Sequence, residues 1–313
     1  MATPREDMSI TYEGWNGVFY DICGGDNEGL QGVRLATDSH GTAWEDLYEA
    51  QIETIYNSTA FEIGGRYGGL REHMMEFTLA FHIKATHDRP WRINDSRFRK
   101  AMSFKKESKL RVKIKEQSER WLNVRLKSTP KLKVQVDPNG LKYGLLLVPF
   151  VAAYPRWVED DFTQTLTTAT NTTVTGTETL WFNLSNPTNN EVWVRWVLQA
   201  GNAGIIYTLP DWSLGDDRFD LAEEHDDRMI IMPPLLLNEH VVVDTDEMTM
   251  QGQVNSSLDT QIYQRMNSKE FLYPLPAYME EVVSVPVMVT EADIGNVVQL
   301  RIPRSWSRPW GLE

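Results

Sequence analysis

Residues 76–130 read EFTLAFHIKATHDRPWRINDSRFRKAMSFKKESKLRVKIKEQSERWLNVRLKSTP. Phe77, Leu79, Phe81 and Ile83 fall on one side of a period-two pattern, with Thr78, His82 and Lys84 on the other. That is the alternation of a half-buried strand, expected over Phe77–Ala85. After the turn Asp88–Arg89–Pro90–Trp91, the side chains of Asn94, Asp95 and Ser96 are each suited to an N-cap. Phe98, Ala101 and Met102 then recur at helical spacing, predicting a short helix over Asp95–Phe104. Val112 and Ile114 alternate with Arg111, Lys113 and Lys115; beyond the reversal Gln117–Arg120, Leu122, Val124 and Leu126 alternate with Asn123, Arg125 and Lys127. Strands are expected over Leu110–Glu116 and Trp121–Lys127, forming a hairpin whose outer face is basic.

Outward from this stretch, the pattern stays β. Met8, Ile10 and Tyr12, then Val18, Tyr20 and Ile22, alternate around glycine-rich turns, and a further strand is expected to end at Asn57. Downstream, Leu132, Val134 and Val136 alternate, Asp137–Pro138–Asn139–Gly140 is a turn, and Leu145–Val151 reads as a buried strand closing a first domain. The composition shifts at Tyr154–Trp157, and Thr163–Thr179 is rich in Thr and Asn. Leu180–Leu184 is expected to pair with Val192–Leu198 across Asn186–Asn190, and Val283–Val289 with Val298–Ile302 across Asp293–Asn296. Short strands at this spacing indicate an antiparallel sandwich. With 313 residues, two domains are expected, 1–155 and 156–313, the second carrying the C-terminal tail.

The net charge is −13, unevenly spread. Between Arg89 and Lys133 sixteen Lys or Arg face four acids, a local charge of +12; the remainder holds fifteen basic against forty acidic residues, a charge of −25. Such segregation suits either an acidic partner or self-association in which one copy's basic face meets another's acidic one, while a basic face can also be merely solvated. Trp91, Phe98, Phe104 and Trp121 interleave the basic block, but Phe98 and Phe104 fall in the helix core by spacing and the whole chain is acidic, so nucleic-acid binding is not the preferred reading. The longest apolar run, Leu145–Ala153, is too short for a membrane span. Without a secretory signal at the N-terminus, folding in a cytoplasm is expected. Cys23 stands alone and cannot form an internal disulfide.

Motifs for chemistry are missing. The six histidines are scattered, and neither His-Glu-x-x-His nor Gly-x-Ser-x-Gly occurs. The acidic run Asp216–Asp227 lacks the ligand alternation of a calcium loop and reads as solvated. Gly64–Gly65–Arg66–Tyr67–Gly68–Gly69 lacks the Gly-Lys-Ser/Thr ending of a phosphate loop and reads as a loop or bulge. No catalytic residue, metal ligand or cofactor is therefore assigned, and an enzyme is not expected.

The segment Tyr56–Gly69, the run Asn94–Ala101, Thr208–Leu209–Pro210–Asp211–Trp212 and the ending Arg304–Glu313 together resemble a distal tail protein, a minor tail protein of long-tailed actinobacteriophages. The resemblance spans nearly the whole chain. It implies a β-rich N-terminal domain that forms a homohexameric ring around a DNA channel, and a galectin-like C-terminal sandwich. It also implies a place at the virion's tail tip, after assembly in the host cytoplasm. The tail tube, the tail-tip hub and other minor tail proteins would be neighbours, and DNA would pass without specific binding. On this reading Arg97, Arg99, Lys100, Lys113, Lys115 and Arg125 are candidates for the subunit interface, acidic residues of the first domain face the channel, and Trp306, Arg308 and Trp310 are C-terminal anchors. The competing class is a carbohydrate-binding module for host glycan using Trp181, Trp193 or Trp212, although core packing is the commoner role of large aromatics in sandwiches.

Overall fold

The computed structural model describes residues 8–115, 117–216, 218–249, 252–267 and 269–312, so Glu116, Asp217 and Glu313, which fall in segments read above, lie outside the described residues. The protein is mainly antiparallel β and divides into two compact units, 1–159 with 306–312, and 160–305. The tail was expected to accompany the second domain; residues 306–312 instead pack with the first.

In the first unit, β1 (Met8–Glu13) pairs with β2 (Phe19–Cys23) and, along its whole length, with β7 (Ser108–Ile114), which pairs with β8 (Arg120–Leu126). A second group is centred on β6 (Met75–Lys84), flanked by β3 (Val33–Leu35) and β10 (Tyr143–Ala152); β9 (Lys131–Lys133) adds to β10. β4 (Ile52–Asn57) and β5 (Arg66–Glu72) form a two-stranded sheet of their own, after a one-turn helix α1 (Trp44–Tyr48).

The helix α2 spans Trp91–Lys100, one turn earlier than its pattern suggested. Pro90 takes the N-cap position with extended backbone, and Trp91 buries its ring; Asn94, instead of capping, donates from Nδ2 to the Lys84 carbonyl at 2.8 Å. That contact leaves no room for a side chain at Gly32, whose φ is +82°: a Cβ there would lie 2.3 Å from Asn94 Nδ2. The helix ends before Ser103, whose Oγ accepts from the backbone N–H groups of Lys105 and Lys106, both at 3.1 Å, and turns the chain away. Phe104 is consequently exposed and not part of the helix core. Phe98 is fully buried among Tyr12, Tyr20 and Phe81, with ring centres 5.6, 5.0 and 4.9 Å away in edge-on contact, the geometry that aromatic quadrupoles favour.

The second unit is a sandwich. One sheet has the order β12 (Thr177–Asn186), β18 (Met279–Thr290), β14 (Ile206–Pro210), β15 (Met229–Ile231). In the other, β17 (Val254–Ser256), β16 (Val241–Asp244), β13 (Arg195–Leu198) and β19 (Val297–Trp306) follow one another, with the later part of β11 (Trp157–Thr167) beyond. Leu180, Phe182, Val285, Val287 and Tyr207 face Trp196, Val241, Val298 and Leu300 in one buried cluster, and Trp196 meets Phe182 edge-on at 5.2 Å. Both expected hairpins are absent: β12 pairs with β18 rather than β13, and β18 with β12 and β14 rather than β19. The reason is geometric. Period-two alternation says which face of a strand is buried, but a strand across the sandwich buries the same face as a strand beside it.

Candidate assembly and docking surfaces

The basic hairpin presents Lys109, Arg111 and Lys113 of β7 beside Trp121, Asn123 and Arg125 of β8 on one face. Much of this charge is satisfied within the unit. Arg111 bridges Glu13 at 2.7 Å and Glu119 at 2.6 Å, and its guanidinium lies 5.2 Å from the Trp121 ring centre. Of the six interface candidates, Arg99 pairs with Asp95 one turn back at 2.9 Å and Arg125 with Glu107 at 3.1 Å. Arg97, Lys100, Lys113 and Lys115 are exposed and form no ion pair among the described residues. Four of the six candidates, on α2 and at or just beyond the end of β7, are therefore unpaired, beside other exposed cations of the same stretch such as Arg92, Lys105 and Lys106.

The C-terminal segment is held by a residue that sequence reading assigned only to a turn. Arg120 is fully buried, with its guanidinium 3.8 Å from the Trp306 ring centre, and Nη1 donates to the carbonyls of Arg308 at 3.1 Å and Gly311 at 2.9 Å. Trp306 is buried, Trp310 packs on Tyr48 at 5.1 Å, and Arg308 donates to Glu49 from Nε and Nη2. β8 begins one residue earlier than expected, and position 120 shares the inward parity of Leu122, Val124 and Leu126. That an arginine stands there, and finds carbonyls, was not visible locally.

The most exposed apolar surface is the β4–β5 hairpin. Tyr56 and Tyr67 are paired across it at 6.3 Å; Ile52, Ile55 and Leu70 are exposed beside them; and at its tip Phe61 and Ile63 show 105% and 104% of their reference surface to solvent. None of these residues belongs to either hydrophobic cluster. Gly68 is the extra residue where the register shifts, so the glycine-rich run is a bulge on a strand, as read. The base is fixed by Arg156, which donates from Nε and Nη2 to the Glu72 carboxylate at 2.9 and 2.7 Å.

A cavity of about 720 Å³ in the first unit is lined by Met8, Cys23, Leu35, Trp44, His82 and Lys84, among others. His82 Nδ1 lies 2.7 Å from the Tyr143 hydroxyl, and its ring meets that of His40 edge-on. Burial, then the nearby His40, Lys84 and Arg34, hold the His82 pKa below the ordinary imidazole value. Among the described residues, no three His, Cys, Asp or Glu side chains converge as a metal site would require. In the acidic run, Asp216 accepts from its neighbour Arg218, while Asp211, just before it, is buried and accepts from the N–H groups of Leu272 and Tyr273.

The three candidate tryptophans are not brought together. Trp212 is packed against the sandwich core with its indole N–H buried, Trp193 is half-buried, and Trp181 stands on an outer sheet face with 57% of its surface exposed. The core role expected of these rings does not hold for Trp181, because residue 181 has the outward parity of β12, between the inward Leu180 and Phe182.

No family model matches the chain. Minor tail protein Gp27 of Mycobacterium phage D29 is 28% identical to it, over 98% of this chain and 99% of the relative; its counterpart in Mycobacterium phage L5 is 27% identical over the same shares. The resemblance to actinobacteriophage minor tail proteins holds over the whole chain. Among solved structures, the SPP1 Dit (gp 19.1) protein, described as a paradigm of the hub adsorption apparatus in phages of Gram-positive bacteria, superposes with a TM-score of 0.50. The match covers 95% of this chain and 98% of that one at 8% identity, which is a likeness of fold. The chain is thus a structural component of a phage tail with the fold of a distal tail hub. Its relatives are tail proteins and not enzymes, and on that ground neither is it.

Proposed function

We propose that this tail protein is the distal adaptor of a long-tailed phage, forming a homohexameric ring that joins the tail tube to the tail-tip proteins around the DNA channel. The observation that carries the reading is the β4–β5 hairpin. An isolated two-stranded hairpin is marginal in water, and this one exposes seven large apolar side chains, Ile52, Ile55, Tyr56, Phe61, Ile63, Tyr67 and Leu70, that no part of either core covers. Such a surface calls for a protein partner, and a ring supplies one to every copy. The likeness of fold to a hub protein and the segregated charge support it, since a head-to-tail ring joins two different patches of each copy. Arg97, Lys100, Lys113 and Lys115 then face a neighbour, and acidic side chains of the first unit face the channel, where like charge keeps passing DNA from adhering. The C-terminal sandwich is read as galectin-like and directed to the tip proteins, with assembly in the host cytoplasm.

The test is the native mass of the purified protein over a concentration series at low and high salt. A closed species near six copies of 36.0 kDa, weakening with salt, is expected. A monomer at every concentration, which also fails to assemble on purified tail-tube ends, would overturn the ring.

A further inference from the structure

Phe61 and Ile63 form a preorganised knob at the tip of the β4–β5 hairpin. The backbone N–H of Glu62 donates to the Thr59 carbonyl at 3.1 Å, closing a turn in which Phe61, at a φ of 74°, takes a position that glycine ordinarily fills. The Glu62 carboxylate accepts from the N–H and the hydroxyl of Thr59, both at 3.1 Å, and from Arg66 Nε at 2.8 Å. These bonds tie the turn to the start of β5, with one apolar side chain in solvent on either side of Glu62. Gly64 and Gly65 follow, so one flank of the tip carries no side chain.

The same unit contains a hole. Around the 720 Å³ cavity, Met8, Cys23, Leu35 and Trp44 are half-buried side chains at the margin of the first core, which is left open there. A cavity of this size takes a group well beyond one small side chain. Its charges are Arg34 and Lys84 against Glu28; Arg34 pairs with Glu28, and Lys84 has no ion pair among the described residues. Residues 58–65 carry a single charge, that of Glu62. Knob and hole are thus both apolar and opposite in net charge. Two other cavities of this unit suit the knob less. One is bordered by the polar groups of His87, Asp88, Arg89 and Arg92, and the other by Glu45, Asp46, Glu49 and Glu76, which would repel Glu62.

From this complementarity we propose that the hairpin tip of one copy seats Phe61 and Ile63 in the cavity of the next copy, against Met8, Cys23, Leu35 and Trp44, with Glu62 beside Lys84. This pairing rests on the ring reading and names the surface that receives the hairpin. A knob and a hole at different places on one chain make a heterologous contact, which repeats from copy to copy and closes as a ring when its rotation allows. Because the tip is held by its own turn before contact, little freedom is lost on seating it.

Cys23, the one cysteine of the chain, lines the cavity and lets the pairing be tested in the full chain. Ile63→Cys, at a fully exposed position, is assembled and treated with a mild oxidant such as copper phenanthroline. The expected result is a ladder of disulfide-linked species up to six copies on electrophoresis without reductant, absent when Cys23→Ser is added. A disulfide needs Cα atoms within about 7 Å, so the ladder reports a tip inside the cavity. In a second measurement, Cys23→Phe fills the cavity from within. Its unfolding midpoint should stay at or above that of wild type, while the concentration for half-assembly rises at least about tenfold. A closed ring by native mass with no ladder would overturn the pairing and leave the ring standing; a monomer at every concentration would remove both. A ladder that survives Cys23→Ser would mean that tips meet each other, and wild-type assembly of Cys23→Phe would mean that the cavity receives nothing. Either result overturns the pairing.

Discussion

The guanidinium of Arg120 lies 3.8 Å from the centre of the Trp306 ring, both side chains buried in the first unit. The two are far apart in sequence, so this contact and the carbonyl bonds to Arg308 and Gly311 close the last segment onto the first core. Trp306→Ala would leave a large cavity and strip the arginine of its stacked ring. A loss of about 3–5 kcal/mol in the stability of this unit is expected in urea unfolding. A loss below about 1 kcal/mol would mean that the segment is only laid on the surface.

What could be read from sequence is uneven for physical reasons. Strand faces were legible, because alternation at Phe77–Ile83 or Val285–Val289 directly encodes burial. Strand partners were not, since β18 and β19 alternate alike and yet stand in opposite sheets. The start of α2 was misplaced because three good cap residues, Asn94, Asp95 and Ser96, serve other bonds: to Lys84, Arg99 and Arg92. Arg120 was invisible as an anchor because its partners lie some 190 residues onward. The basic face was legible in composition, but the ion pairs that leave only four of its candidates free depend on which acids fold beside it.

His82 gives the first unit a dependence on pH. Burial holds its folded pKa below the unfolded value of 6.5, so between the two values the unfolded chain binds a proton that the folded chain does not. Its contribution is complete above pH 6.5 and is lost as pH falls through the lower, folded pKa. His40, Lys84 and Arg34 press in the same direction, and Tyr143 contributes a neutral hydroxyl. Urea midpoints measured from pH 7.5 down to 5 should decline for wild type and decline less for His82→Gln. Parallel profiles would show that the imidazole is not the group responsible.

The four free cations predict a salt effect on association. Lys113→Glu with Lys115→Glu removes exposed charges that pair with nothing described, so the unfolding midpoint should move by no more than about 0.5 kcal/mol equivalent. Assembly should weaken markedly at low salt and differ little from wild type at high salt, because screening has already removed the attraction there. Equal weakening at both salt concentrations would point to a steric fault instead of lost charge. Reversing Arg125, which already pairs with Glu107, should do less to assembly.

The hairpin tip separates assembly from folding most sharply. Phe61 and Ile63 touch neither core, and Phe61 holds a positive φ of 74° that a bulky side chain adopts only at a cost. A fold gains nothing from two fully exposed apolar side chains in such a place; a contact with another chain would. Phe61→Ser with Ile63→Ser should therefore leave the thermal midpoint unchanged or slightly raised and improve solubility of the monomer. The same variant should raise the concentration for half-assembly at least about tenfold, as read by native mass or analytical ultracentrifugation. Glu72→Gln, which removes the charge that Arg156 holds at the hairpin base, should produce a smaller loss in the same direction by freeing the hairpin's angle. If the tip variant assembles as wild type does, the hairpin is not the contact that builds the ring, and the acidic and basic patches would have to carry association alone.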